Sequence, residues 1–114
     1  MHRRIEKPWG YEVIWAHTES YVAKIIAINA GQRLSKQYHE KKTETVYVLE
    51  GKLINYDEND VEMRFEQGQS FHVEPGQIHR FGATKFDNVK IMEVSTNHLD
   101  DVVRISDDYG REGE

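Results

Sequence analysis

The sequence predicts an all-β fold closed into a jelly-roll barrel. Three observations carry this expectation. Short runs rich in β-branched and aromatic residues recur along the 114 residues, glycines and Asx-rich tips punctuate them, and no stretch shows a sustained helical period. The runs are Glu12–Trp15, Tyr21–Ile28, Arg33–His39, Thr45–Glu50, Lys52–Tyr56, Val61–Phe65, Ser70–Val73, His79–Phe81, Val89–Ser95 and Val102–Ile105. Gly31, Gly51, Gly68, Gly76 and Gly82 separate them, and Asp57-Glu58-Asn59-Asp60 reads as a hairpin tip. Strands at this spacing suit a sandwich or barrel. A jelly roll fits best, because its mouth gathers side chains from several strands around one pocket.

The length suits one domain over residues 1–114 with one core. Residues 1–10 read as an arm whose Ile5, Pro8 and Trp9 need a covering surface, either their own sheet or a second subunit. Residues 107–114 read as a polar tail. The chain has no cysteine, which excludes disulfides and thiolate metal sites and fits a reducing cytoplasm. No apolar run approaches the roughly 20 residues of a membrane span. Met1–Gly10 has basic residues without an apolar stretch behind them, so it does not read as a secretory leader. Net charge is −5 and no dense basic patch appears, so neither nucleic acid nor membrane is an expected partner.

Gln37, His39, Glu44 and His79 are the candidate metal ligands. Residues two apart on a strand point the same way, so Gln37 and His39 reach one point together. Glu44 follows across a short turn, and His79 closes Glu74-Pro75-Gly76-Gln77-Ile78-His79 from a distant strand. An amide oxygen, two imidazoles and a carboxylate suit one divalent ion. Zinc is the first expectation; manganese, iron, nickel and cobalt also suit a mixed nitrogen and oxygen set. Regular alternation puts Arg33, Ser35, Gln37 and His39 on one face, a poor core unless it lines a ligand cavity. Arg33 is therefore the first candidate for an anionic substrate, and Lys42 is another. Glu93 shares a face with Val89, Ile91 and Ser95. It reads either as a general base with a raised pKa or as the structural partner of a lysine such as Lys24. His72 and Tyr47 read as packing residues rather than catalytic ones.

The spacings Gly31-x5-Gln37-x-His39-x4-Glu44-x6-Gly51 and Gly68-x5-Glu74-x-Gly76-x2-His79 resemble the paired motifs of the cupin superfamily. That implies a double-stranded β-helix and a homodimer. More narrowly, Lys7-Pro8-Trp9-Gly10, Ala30 through Gln37, His79-Arg80, Glu93-Val94 and Asp107-Asp108-Tyr109-Gly110-Arg111 resemble the C-terminal cupin domain of type II mannose-6-phosphate isomerases. The resemblance implies a metal-dependent interconversion of mannose 6-phosphate and fructose 6-phosphate. It assigns Gln37, His39, Glu44 and His79 to the metal, and adds Arg104, Tyr109 and Arg111 to Arg33 and Lys42 as substrate-binding candidates. Lys42 stands where the family usually carries arginine, and Thr45-Val46 where it carries His-Trp. Lysine lacks the planar fork that holds a phosphate bidentately. A cupin acting on another sugar, by isomerisation or epimerisation, and a non-catalytic sugar-binding module are the alternative readings.

Overall fold

The computed structural model describes residues 3–112; Met1 and His2 of the arm and Gly113 and Glu114 of the tail lie outside the described residues. Eleven strands follow one another: β1 (Arg3–Lys7), β2 (Gly10–His17), β3 (Tyr21–Ile28), β4 (Lys36–Tyr38), β5 (Glu44–Glu50), β6 (Leu53–Tyr56), β7 (Glu62–Phe65), β8 (Ser70–Val73), β9 (Arg80–Ala83), β10 (Val89–Thr96) and β11 (Val103–Ser106). Six form an antiparallel sheet in the order β1-β2-β3-β10-β5-β8. Facing it are the pair β11-β4 and the triplet β7-β6-β9. Single bridges, Arg33 to Gly82 and Gln37 to His79, join β4 to β9 and complete a second layer. This is the double-stranded β-helix that the sequence predicts.

The arm finds one of its two expected coverings, the chain's own sheet. Residues Arg3–Lys7 pair with β2 in a continuous ladder, and Trp9 is buried in the apolar core, while Ile5 is half-buried and Pro8 exposed. The described part of the tail is held to the barrel. Asp107 is buried and accepts hydrogen bonds from the backbone and guanidinium of Arg111, while Tyr109 packs against the core.

The interior changes character along the strands. At one end Ile26 and Ile28 of β3 face Ile91 and Val89 of β10, and Ile91 faces Val48 of β5. All are essentially closed to solvent, and Leu53, Val73 and Phe81 complete that half of the core. Burial of each aliphatic side chain contributes roughly 1.5–3 kcal/mol. Further along, the inward positions become charged. Lys24 stands opposite Glu93, and Glu44 opposite Ser95. The barrel therefore closes as a hydrophobic plug at one end and opens as a polar cup at the other.

Gly10 ends the β1–β2 turn with φ +154°, where a Cβ would lie 2.0 Å from the carbonyl oxygen of Ala27. Gly68 also has positive φ, but its Cβ would meet nothing closer than 4.0 Å. Gly10→Ala is expected to lower stability by about 2–4 kcal/mol, because backbone must move. Gly68→Ala should cost about 1–2 kcal/mol from conformation alone. Urea unfolding midpoints of the two variants test this, and equal losses would show that the β1–β2 turn relaxes freely.

Candidate metal centre and its cavity

Three ligand-type side chains converge at the base of the cup. Glu44 opens β5 with its side chain inward. His39 follows β4 directly, and His79 immediately precedes β9. Two backbone hydrogen bonds, both 2.9 Å, lock Gln37 against His79 and set the two histidines side by side. Their ring centroids are 5.0 Å apart. Glu44 Oε1 lies 3.1 Å from His39 Nε2 and 3.3 Å from His79 Nε2. Each of the three residues is 1% exposed, so no bulk water relieves their mutual contact.

The remaining hydrogen bonds define what faces this point. His39 Nδ1 lies 2.6 Å from the carbonyl oxygen of Asp101, and His79 Nδ1 lies 2.9 Å from that of Gln77. A carbonyl only accepts, so both imidazoles donate from Nδ1. Neutral rings in that tautomer aim two Nε2 lone pairs at a carboxylate oxygen. Such an arrangement is repulsive unless positive charge, a proton or a metal ion, lies among the three atoms. His79 Nε2 and Glu44 Oε2 are also buried without a hydrogen bond. A His-Glu-His group of this kind could hold a divalent ion.

Carboxylates and ammonium groups surround the centre. The Glu93 carboxyl adjoins that of Glu44, and Lys42 Nζ stands 4.0 Å from each. Burial, then the charge of Glu44, holds Glu93 well above the usual carboxylate range. Burial pushes Glu44 the same way, but the adjoining Glu93 carboxyl, the two imidazoles and Lys42 outweigh it and hold Glu44 well below that range. The loop between the ligands is pinned by Asp101, whose carboxylate accepts the N–H groups of Glu40, Lys41 and Lys42 at 3.0, 2.7 and 2.9 Å. Burial opposes ionisation of Asp101, yet these bonds lower its pKa to about 2. The carboxylate therefore contributes stability at neutral pH that is lost as pH falls from about 4 toward 2.

Beside the centre opens a cavity of about 710 Å³ whose lining includes Gln37, His39, Lys42 and Glu93. Its walls carry Arg3, Lys7, Lys24, Lys42, Arg104 and Arg111 against the acidic Glu12, Glu93 and Asp100. The cup is thus richer in cations than in acids, within a chain of net charge −5.

Of the sequence-predicted residues, the fold brings His39, Glu44 and His79 to one point. Gln37 stands beside them in the cavity, its Oε1 accepting a hydrogen bond from Ser35 Oγ at 2.6 Å. Lys42, Glu93, Arg104 and Arg111 all line the cavity. Glu93 stands opposite Lys24 in register and beside the Glu44 carboxyl. Arg33 and Tyr109 stand outside the cavity lining. Arg33 forks onto Asp108, with Nε 2.6 Å from Oδ2 and Nη2 3.1 Å from Oδ1. The regular strand assumed over Arg33–His39 contracts to Lys36–Tyr38, and Leu34 joins Ser35 in lining the cavity. Tyr109 donates to Gln32 Oε1. His72 bonds Thr45 Oγ1 on the exposed outer face, and Tyr47 is exposed there too.

Sequence reasoning missed Glu12 and Asp101. Glu12 reaches Lys24 at 3.4 Å and Lys7 at 3.9 Å. Its inward position is readable once β2 is registered against β3. Asp101 gives no such signal, because backbone N–H groups are its partners.

A family model described as the C-terminal region of mannose-6-phosphate isomerase matches residues 1–107. Mannose-1-phosphate guanylyltransferase ManC of Salmonella typhimurium is 33% identical over 115 aligned residues, covering 97% of this chain and 24% of that protein. Xanthan biosynthesis protein XanB of Xanthomonas campestris is 27% identical, covering 96% and 24%. The chain thus spans about a quarter of the length of these relatives. Among solved structures, KdgF from Halomonas sp. superposes with a TM-score of 0.76 at 20% identity, covering 87% of this chain and 89% of that one. A cupin-superfamily sugar phosphate isomerase from Silicibacter pomeroyi gives 0.70 at 18% identity, covering 77% and 59%. These two share the fold. The match over residues 1–107 shows that the chain belongs to the mannose-6-phosphate isomerase C-terminal family.

Proposed function

We propose that this chain is a metal-dependent sugar-phosphate isomerase of the mannose 6-phosphate to fructose 6-phosphate type. The observation that carries the reading is the convergence of His39, Glu44 and His79 beside a cation-rich cavity, with the Glu93 carboxyl against Glu44. The family match and the fold shared with the Silicibacter pomeroyi sugar phosphate isomerase support the same chemistry. His39, Glu44 and His79 would hold the ion, with Gln37 as the fourth ligand. When bound, the ion would polarise a carbonyl and stabilise the negative charge that develops on its oxygen.

The chain's own residues supply the rest. Aldose–ketose isomerisation moves a proton between C1 and C2, so a proton-exchanging group must reach those carbons. Glu93 is that group: its raised pKa suits transfer near neutral pH, and it faces the cavity. Lys42 keeps positive charge beside both carboxyl groups. Arg104 and Arg111 hold the phosphoryl group toward the mouth, and Arg111 is already oriented by its fork to Asp107. Arg33 stands outside this set, because it does not line the cavity and forks onto Asp108 instead.

Two experiments test the proposal. The chain loaded with zinc, manganese or cobalt is expected to interconvert the two hexose phosphates in a coupled assay, and removal of the ion by chelator should abolish turnover. Absence of turnover with each metal, while hexose phosphates still bind, would replace the isomerase by a sugar-binding module. Second, His39→Ala and His79→Ala are expected to lose metal content, whereas Glu93→Gln should retain it and lower kcat by about 10²–10⁴. A Glu93→Gln variant with unaltered kcat would remove Glu93 from proton transfer.

A further inference from the structure

The connection from His39 to Glu44 carries a candidate ligand at each end, so its shape sets their spacing. Asp101 holds that connection by two routes. Its carboxylate accepts the three successive N–H groups of residues 40–42, and its carbonyl oxygen accepts Nδ1–H of His39. Lys42 is buried, so loss of that acceptor would leave its N–H without water to replace the bond. Asp101 is itself fixed, since its N–H donates to the carbonyl of His98 at 3.2 Å. Its neighbours Leu99, Asp100 and Val102 line the cavity.

We infer that Asp101 is a positioning residue for the metal centre, clasping the 40–42 turn and the His39 ring so that His39 and Glu44 are set for an ion before it arrives. The inference rests on the metal-site reading above. The carboxylate fixes the backbone that separates the two ligands. The carbonyl fixes the tautomer of His39, because an imidazole that donates from Nδ1 presents its Nε2 lone pair. A cap that served the loop alone would require only the carboxylate contacts. Here the same residue also bonds a ligand ring, joining loop order to ligand chemistry.

The test compares Asp101→Asn with wild type and with Asp87→Asn, an exposed acid outside the cavity that makes none of these contacts. Asparagine retains the backbone carbonyl contact and one acceptor oxygen, and urea unfolding of the metal-free variant verifies that it folds. Zinc affinity is measured by chelator competition at neutral pH, and amide exchange of residues 40–42 is followed in the metal-free chain. Asp101→Asn is expected to weaken zinc binding roughly 10–100-fold and to speed exchange at 40–42, while Asp87→Asn matches wild type. Faster exchange with zinc affinity within about twofold of wild type would reduce Asp101 to a loop cap and overturn the inference. Unchanged exchange would overturn the clasp itself. A wild-type chain that takes up no zinc, manganese or cobalt overturns the metal-site reading directly, an outcome distinct from the other two.

Discussion

Three acceptor atoms forced together in a dry interior are the constraint on which the rest of this structure depends. Glu44 Oε1 lies 3.1 Å from His39 Nε2 and 3.3 Å from His79 Nε2, with both Nδ1 atoms already committed to carbonyls. Neutral rings and an ionised carboxylate would repel. An imidazolium proton satisfies one pair, whereas an ion at the common point satisfies all three. The surrounding scaffold holds the atoms in place against that repulsion. The Gln37–His79 backbone pair fixes one histidine, and the Asp101 clasp fixes the other.

That scaffold carries an electrostatic cost of its own. Glu12, Lys24 and Glu93 on the inner wall of one sheet, and Lys42 on the turn before β5, are all nearly closed to solvent. Removing one member of a buried charged pair typically costs about 3–5 kcal/mol, because its partner remains desolvated. Apolar residues of similar size would stabilise the barrel at least as well. The charges are distributed so that none is isolated: Lys24 meets Glu12, and Lys42 stands between Glu44 and Glu93. This wall is consistent with a cup that must present charge to a ligand, and the hydrophobic plug below it supplies the stability that the wall forgoes.

Much of this plan was legible in the residues. Tyr21–Ile28 and Ser70–Val73 coincide with β3 and β8, because clean patterning and flanking turn residues mark both ends. The His-Glu-His set was legible because its spacing ties two strands to one point. β1 was not, since Arg3-Arg4-Ile5-Glu6-Lys7 has no alternation and owes its strand to the ladder with β2. Arg33 was misplaced by extending regular alternation through residues 33–35, where the backbone makes only isolated contacts with β9. Asp101 was silent in the sequence because a side chain that caps a distant backbone leaves no pattern of residue types.

The position of Arg33 alters how the cavity mouth is built. Its guanidinium and that of the buried Arg80 converge on the single carboxylate of Asp108, and Arg80 also donates to the carbonyl of Leu34 at 2.8 Å. Burial of a permanently charged guanidinium demands an anion, so Arg80 recruits the C-terminal segment to the barrel. Next to Asp108, Asp107 turns inward and forks onto Arg111, which lines the cavity. The Asp107-Asp108 pair therefore faces two ways: one carboxylate fastens the segment to the barrel, and its neighbour aims a cation at the ligand space. Arg33 strengthens the fastening from the solvent side, so an arginine absent from the cavity lining still shapes what the cavity presents.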